Sequence, residues 1–330
     1  MRRLVNDPYD VVEEMLEGYV LAHDKYVKLL ANDGRVVVSK KTPMQDKVGV
    51  IIGGGSGHEP LFIGYVGSGF ADAAVVGNIN TSPSPEPCYN SVKAVDTGKG
   101  CLFLYGNYAG DVMNFDMAVE MASQEGIRVE TVLVTDDVYS SATIADRRGV
   151  AGDFFVFKAA AAKADTGASL DEVKDVAVHA NHNTRSMGVA LSSATLPASG
   201  PIFEMEDGEM EIGMGIHGEP GVKRGKLESA DKVVDQIMPY ILNDLPFNKG
   251  DEVNVLVNGL GGLPLMDLHI VYRRVAQILA KHEIKIHISF VGNYATSMDM
   301  IGMSITLIKL DEELKKLLDA PCDTPYCVIK

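Results

Sequence analysis

KVGVIIGGGSGHEP, residues 47–60, decides the fold. Its first half, KVGVII (47–52), is a short apolar run rich in β-branched residues and reads as a buried strand. Its second half, GGGSGHEP (53–60), is a glycine-rich exit that carries His58. A strand that leaves straight into a polar, glycine-rich loop is a ligand-binding corner of an open α/β sheet, where ligands sit outside the carboxyl ends of the strands.

The same alternation runs outward on both sides. RVVVS (35–39), DAAVVG (72–77), CLFLYG (101–106) and VETVLV (129–134) read as strands, with helices over 86–97, 112–125, 154–166 and 170–187. Ahead of them, Asp7 as N-cap and Pro8 as first residue open a helix. Val12, Leu16, Tyr19, Val20, Val27 and Leu30 follow at helical spacing. Near residue 186 the pattern restarts, with strands GVALSS (188–193), EMEIGMG (209–215), EVNVLVN (252–258), KIHISFV (285–291) and SITLIKL (304–310). Helices near 230–243, 265–281 and 311–319 alternate with them. This predicts an α/β fold of two α/β domains, 1–185 and 186–330, each a mixed β-sheet flanked by helices. A length of 330 residues suits two such units, and no Gly/Ser- or Pro-rich linker separates them.

The totals exclude several partners. With 45 acidic against 30 basic residues the net charge is −15, which disfavours nucleic acid and anionic membrane. No apolar run is long enough to span a bilayer, and MRRLVNDPYD lacks the apolar region of a secretory signal, so a cytoplasmic protein is expected. Cys88, Cys101, Cys322 and Cys327 form no CxxC motif and are expected to stay reduced. The tail CVIK is a poor prenylation box. Arg147-Arg148, the densest basic point, reads as a salt-bridging pair.

Three post-strand loops can do chemistry. GGGSGHEP lacks the lysine of a P-loop, and His58 stands where the dinucleotide fingerprint and the nucleophile elbow need glycine. HExxH fails because Phe62 replaces its second histidine. A glycine-rich turn with free backbone amides survives, with His58 near the start of a helix. GNYAGD (106–111) places Asp111 where it can cap the following helix. GMGIHGEPG (213–221) sets His217 among glycines that leave room around its ring. A loop GNYATS (292–297) echoes GNYAGD, also after a strand, and Ser82 in TSPSPEP (81–87) lies early enough to reach a ligand. The other histidines read as structural: His23, His269 and His282 on helices, His287 on a strand, and His179 with His182 as a polar helix end rather than a metal pair. No metal site is expected.

GGGSGHEP, the run from Gly77-Asn78 into TSPSP, NYAGD and GIHGEPG, in this order, resemble the dihydroxyacetone kinase substrate-binding subunit family, the DhaK type linked to bacterial sugar phosphotransfer. RRGVAG (147–152), VNGLGGLPLMDL (257–268) and GMSITLIKLDEE (302–313) extend the resemblance over the chain. The resemblance implies that His217 holds dihydroxyacetone covalently as a hemiaminal, that His58 acts as acid/base, and that Asp111 helps deprotonate the hydroxyl to be phosphorylated. It places Gly55, Ser56, Gly57, Ser82 and Gly106 around the substrate. It also implies that this chain binds no cofactor itself. ADP and Mg²⁺ are then carried by a separate DhaL-type subunit, recharged from phosphoenolpyruvate through a DhaM-type phosphocarrier, and the substrate subunit is a homodimer. Gly106 departs from the lysine common in the family before NYxGD. Two alternatives stay open within the resemblance: a paralogue that binds dihydroxyacetone as coactivator of a transcriptional regulator, and a kinase subunit for another short ketose such as erythrulose.

Overall fold

In the computed structural model, which describes residues 3–330, KVGVII opens strand β3 (Gly49–Ser56), buried along its whole length. A strand covered on both faces belongs in the middle of a sheet that carries helices on each side. Its sheet also contains β1 (Val27–Leu30), β2 (Asp33–Ser39), β4 (Ala73–Ile79), β5 (Cys101–Gly106) and β6 (Val129–Val134), in the order β1-β2-β4-β3-β5-β6. β4, β3, β5 and β6 run parallel, and β1 and β2 add an antiparallel edge.

The chain leaves β3 toward β4 on one side and leaves β5 toward β6 on the other. The gap between the carboxyl ends of β3 and β5 is therefore a topological switch point, where a crevice opens in a doubly wound sheet. GGGSGHEP and GNYAGD are the two loops at that gap.

The second sheet starts at β7 (Thr184–Ala190). After the short hairpin β8 (Thr195–Leu196) and β9 (Gly200–Pro201) come β10 (Glu209–Ile212), β11 (Lys223–Lys226), β12 (Glu252–Gly259), β13 (Lys285–Gly292) and β14 (Gly302–Leu310). Its order is β11-β10-β7-β14-β12-β13, mixed because only β12 and β13 pair in parallel. The tail closes with a small pair, β15 (Cys322–Asp323) and β16 (Val328–Ile329).

Helices α1 (Val11–Ala22), α2 (Pro85–Val95), α3 (Ala109–Gln124), α4 (Asp153–Ala164) and α5 (Leu170–His182) accompany the first sheet; α6 (Ala230–Asp244), α7 (Leu265–Lys281) and α8 (Glu312–Leu318) follow in the second half. α4, with sequence DFFVFKAAAAKA, is buried on nearly every side, as a mostly apolar helix must be, and it takes Asp153 and Lys158 into the interior with it. It packs on β3 and β5, while Phe154 meets Phe290 and Tyr294 from the β13 end of the other sheet. Ile52, Leu104, Leu256 and Ile308 consequently belong to one continuous core. No helix among the described residues is long and apolar enough to cross a membrane.

Several boundaries differ from the sequence reading. The first helix starts at Val11, because Asp7 accepts from the Tyr9 amide in a local turn and Asp10 stands before the helix. Val27 and Leu30, read as its continuation, form β1 against β2, where cross-strand pairing overrides the helical spacing. The helix read over 170–187 stops at His182. Thr184–Met187 belong to β7, whose pairing with β14 takes those backbone groups. His58 leads into a turn before a single 3₁₀ turn at Ile63–Tyr65, not into an α-helix.

Candidate active site

His217 sits in the connection between β10 and β11, a loop closed by its own hydrogen bonds. The Val222 amide returns to the Ile212 carbonyl, and the Gly215 amide reaches the Glu219 carbonyl. Glu211 of β10 accepts from the Gly221 amide and from Arg224, which fixes the base of the loop. The loop therefore presents His217 from a rigid hairpin.

Two acceptors set the tautomers of the histidine pair. His58 Nδ1 lies 2.7 Å from the Thr296 carbonyl oxygen, which can only accept, so Nδ1 carries hydrogen. His217 Nδ1 lies 3.2 Å from Glu219 Oε1, and the His217 amide donates to Glu219 Oε2 at 3.0 Å. The two Nε2 atoms then face each other at 2.9 Å. Two lone pairs cannot meet at that distance, so a hydrogen bond here needs a proton between the rings. Burial first, and then the charge of His217, push His58 down to about 3, which makes His58 the acceptor of that proton.

Glu219 is itself held. Arg148 stands 3.6 Å from its Oε2 and is anchored in turn on Asp137 at 2.8 Å. Burial would raise Glu219, but the hydrogen bond and charge of His217 and the charge of Arg148 keep it at about 2. A Cβ at position 215 would collide with the Glu219 carboxylate and the Arg148 guanidinium, so glycine is required there for the carboxylate to fold back onto the ring. Tyr108 packs edge-on against His217 at 4.6 Å from the other side and donates its hydroxyl to the Gly149 carbonyl.

Asp111 is the third residue of α3 and caps nothing; Tyr108 occupies the N-cap position. The sequence reading of Asp111 as a cap is thereby corrected. Its side chain, 8 % exposed, turns into the same cavity as His58 and His217, and its Oδ1 has no protein partner. Burial raises Asp111 to about 6, against the pull of the Ser82 hydroxyl and of His217. A carboxylate that titrates near neutrality suits a general base. Gly53, Gly54, Gly55 and Gly106 also line this small cavity.

The other expected contacts fall differently. The Ser56 hydroxyl donates to the Gly77 carbonyl, and Gly57 faces a separate cavity beside Glu59 and Met298. Ser82 stands behind Asp111, where Asn114 donates to its hydroxyl. His179 pairs with Asp311 and His287 with Asp319. Among the described residues no cluster of three or more His, Cys, Asp or Glu side chains could hold a metal.

The sequence reading missed Glu219, Arg148, Asp137, Tyr108, Asp153 and Thr296. Glu219 had a local signal, two residues beyond His217. Thr296 had the echo GNYATS, which is a working part of the site: its loop hydrogen-bonds to the His58 loop through Thr296 N to His58 O and Met298 N to Gly57 O. Arg148 and Asp137 meet only in the fold.

The chain belongs to the Dak1 domain family, whose model matches residues 17–326. It is 69 % identical to the PTS-dependent dihydroxyacetone kinase 2, dihydroxyacetone-binding subunit DhaK, of Listeria innocua, over 99 % of each chain. Among solved structures it resembles the dihydroxyacetone kinase of C. freundii, with 34 % identity and a TM-score of 0.90, over 98 % of this chain and 60 % of that one. It also resembles a dihydroxyacetone kinase operon co-activator, with 31 % identity and a TM-score of 0.87, over 95 % of this chain and 97 % of that one.

Proposed function

We propose that this protein is the dihydroxyacetone-binding, catalytic subunit of a PTS-dependent dihydroxyacetone kinase, and that it captures the ketone covalently on His217 Nε2. The observation that carries this reading is the oriented pair, His58 and His217 with Nε2 atoms 2.9 Å apart and both Nδ1 atoms already committed.

A triose offers few heavy atoms, and at a ceiling of about 1.5 kcal/mol per atom non-covalent binding discriminates poorly. A bond to the carbonyl carbon rejects glycerol, which has none. As the carbonyl enters between the rings, the shared proton passes through His58 to the carbonyl oxygen. The His217 Nε2 lone pair forms the bond to carbon as the C=O π pair becomes the hydroxyl. The alkylated ring keeps its Nδ1 hydrogen and a positive charge opposite the Glu219 carboxylate, so protons and charge balance without solvent. Asp111 then accepts the proton of a terminal hydroxyl as the phosphoryl group arrives.

The phosphoryl donor in this reading is ADP-linked chemistry with Mg²⁺ on a separate DhaL-type subunit, recharged by a DhaM-type phosphocarrier. This chain's own residues bind, orient and move protons. The homodimer and the cytoplasmic setting belong to the same proposal.

Turnover with a phosphorylated partner subunit tests the kinase reading: dihydroxyacetone phosphate should form and should vanish with Asp111→Asn. Ligand capture without transfer from any such partner would favour the coactivator reading, which the likeness to the operon co-activator keeps in view.

A further inference from the structure

The cavity wall holds one polar side chain that the mechanism above does not use. Asp153 is the first residue of α4, 2 % exposed, and lines the same cavity as His58, His217 and Asp111. Its carboxyl makes no side-chain hydrogen bond to the protein, and its Oδ1 is buried without a partner.

Two glycines keep that carboxyl uncovered. A Cβ on Gly149 would lie 3.2 Å from Asp153 Oδ1 and 2.5 Å from the Gly106 Cα. Neither position supplies a side chain that could reach over the acid. An unpaired buried carboxyl weakens a fold, so its retention at a cavity wall points to a partner outside the chain.

Elimination names the partner. His58 and His217 serve the carbonyl, Asp111 serves one hydroxyl, and the Tyr108 hydroxyl is spent on Gly149. Leu61, Phe62, Val150 and Ile216 offer no polar side-chain atom to the rest of a polar ketose. We infer that Asp153 is a substrate-contacting, specificity-determining residue whose carboxyl hydrogen-bonds the second hydroxyl of the captured ketose, the one Asp111 does not activate.

Burial first, and then the charges of Asp136 and Asp111, push Asp153 well up and favour its carboxylic-acid form. In that form it both donates and accepts, which matches what a hydroxyl requires.

The inference rests on the ketose reading, and the test separates the two. Dissociation constants of the full-length protein are measured for dihydroxyacetone and for hydroxyacetone, which lacks one hydroxyl, with wild type, Asp153→Leu, Asp153→Ala and Asp153→Asn. A site built around a hydroxyl rejects the analogue without it, so wild type should prefer dihydroxyacetone at least tenfold. That preference should fall to within about threefold in Asp153→Leu and Asp153→Ala through loss of dihydroxyacetone affinity alone. Asp153→Asn, whose amide donates and accepts, should keep it. Asp153→Leu and Asp153→Ala should melt no lower than wild type, since neither buries an unpaired polar group. A preference unchanged in Asp153→Leu and Asp153→Ala, or equal weakening of both ligands, overturns the inference while leaving capture by His217 intact. Wild type that binds neither ligand overturns the ketose reading, and the inference with it.

Discussion

Asp111→Asn should stabilise the fold while it abolishes turnover. Asp111 is 8 % exposed, carries an unpaired oxygen, and is raised from 3.8 to about 6 by burial. A carboxyl raised on folding adds no penalty below its unfolded pKa, where both states are protonated. The penalty grows as pH rises from 3.8 to about 6 and is complete above that. At about 1.4 kcal/mol per pH unit, ionised Asp111 costs the native state about 3 kcal/mol at neutral pH. Asparagine keeps the shape and removes the charge, so it should recover about 1–3 kcal/mol at pH 7 and almost nothing near pH 4. Urea unfolding of both proteins at several pH values measures the difference, and phosphoryl transfer from the partner subunit measures the functional loss. A variant that is no more stable at pH 7, or whose advantage does not shrink toward acid pH, refutes the view that Asp111 is held ionised at a cost for catalysis.

Three further outcomes follow from other contacts. Glu219→Gln keeps an acceptor for His217 but loses the charge opposite the alkylated ring; a charge-assisted hydrogen bond is worth about 1.5–3 kcal/mol, so dihydroxyacetone affinity should fall roughly 10- to 100-fold in titration calorimetry, and the melting temperature should fall too, because a carboxylate held at about 2 stabilises the fold at neutral pH. Gly215→Ala drives a methyl into Glu219 and Arg148 and should abolish capture, with circular dichroism and oligomeric state as in wild type. Asp244→Ala leaves Arg147 and Arg185, 4 % and 1 % exposed, without their shared carboxylate, and denaturant unfolding should show a loss of about 3–5 kcal/mol.

The α/β class was legible because central strands such as GVIIGGGS and GMSITLIKL are apolar runs bounded by turns, and burial on both faces demands that pattern. The ends of elements were less so. Val27 and Leu30 keep a helical period with α1, and only the partner strand β2 decides otherwise. For the site, glycine-rich loops announced His58 and His217, because close approach of backbone and ring needs glycine. The resemblance to a kinase subunit family joined them to Asp111, and the fold brings all three to one cavity.

What stayed hidden depends on distance in sequence. Arg148 reads as one of two adjacent arginines, yet it turns toward Asp137 and Glu219, while Arg147 turns to Asp244. Asp153 opens a helix, where an acidic residue is ordinary, and only the absence of any side-chain partner and the bare glycines beside it mark it out. Thr296 acts through its carbonyl oxygen, which no residue type reveals.

The central claim is that His217 captures the ketone by a covalent bond, and a crystal of the protein soaked in dihydroxyacetone tests it most directly. The account predicts continuous density from His217 Nε2 to a tetrahedral ligand carbon, with the new hydroxyl beside His58 and a terminal hydroxyl on Asp111. A planar ketone lying at van der Waals distance from an unmodified His217 would contradict it.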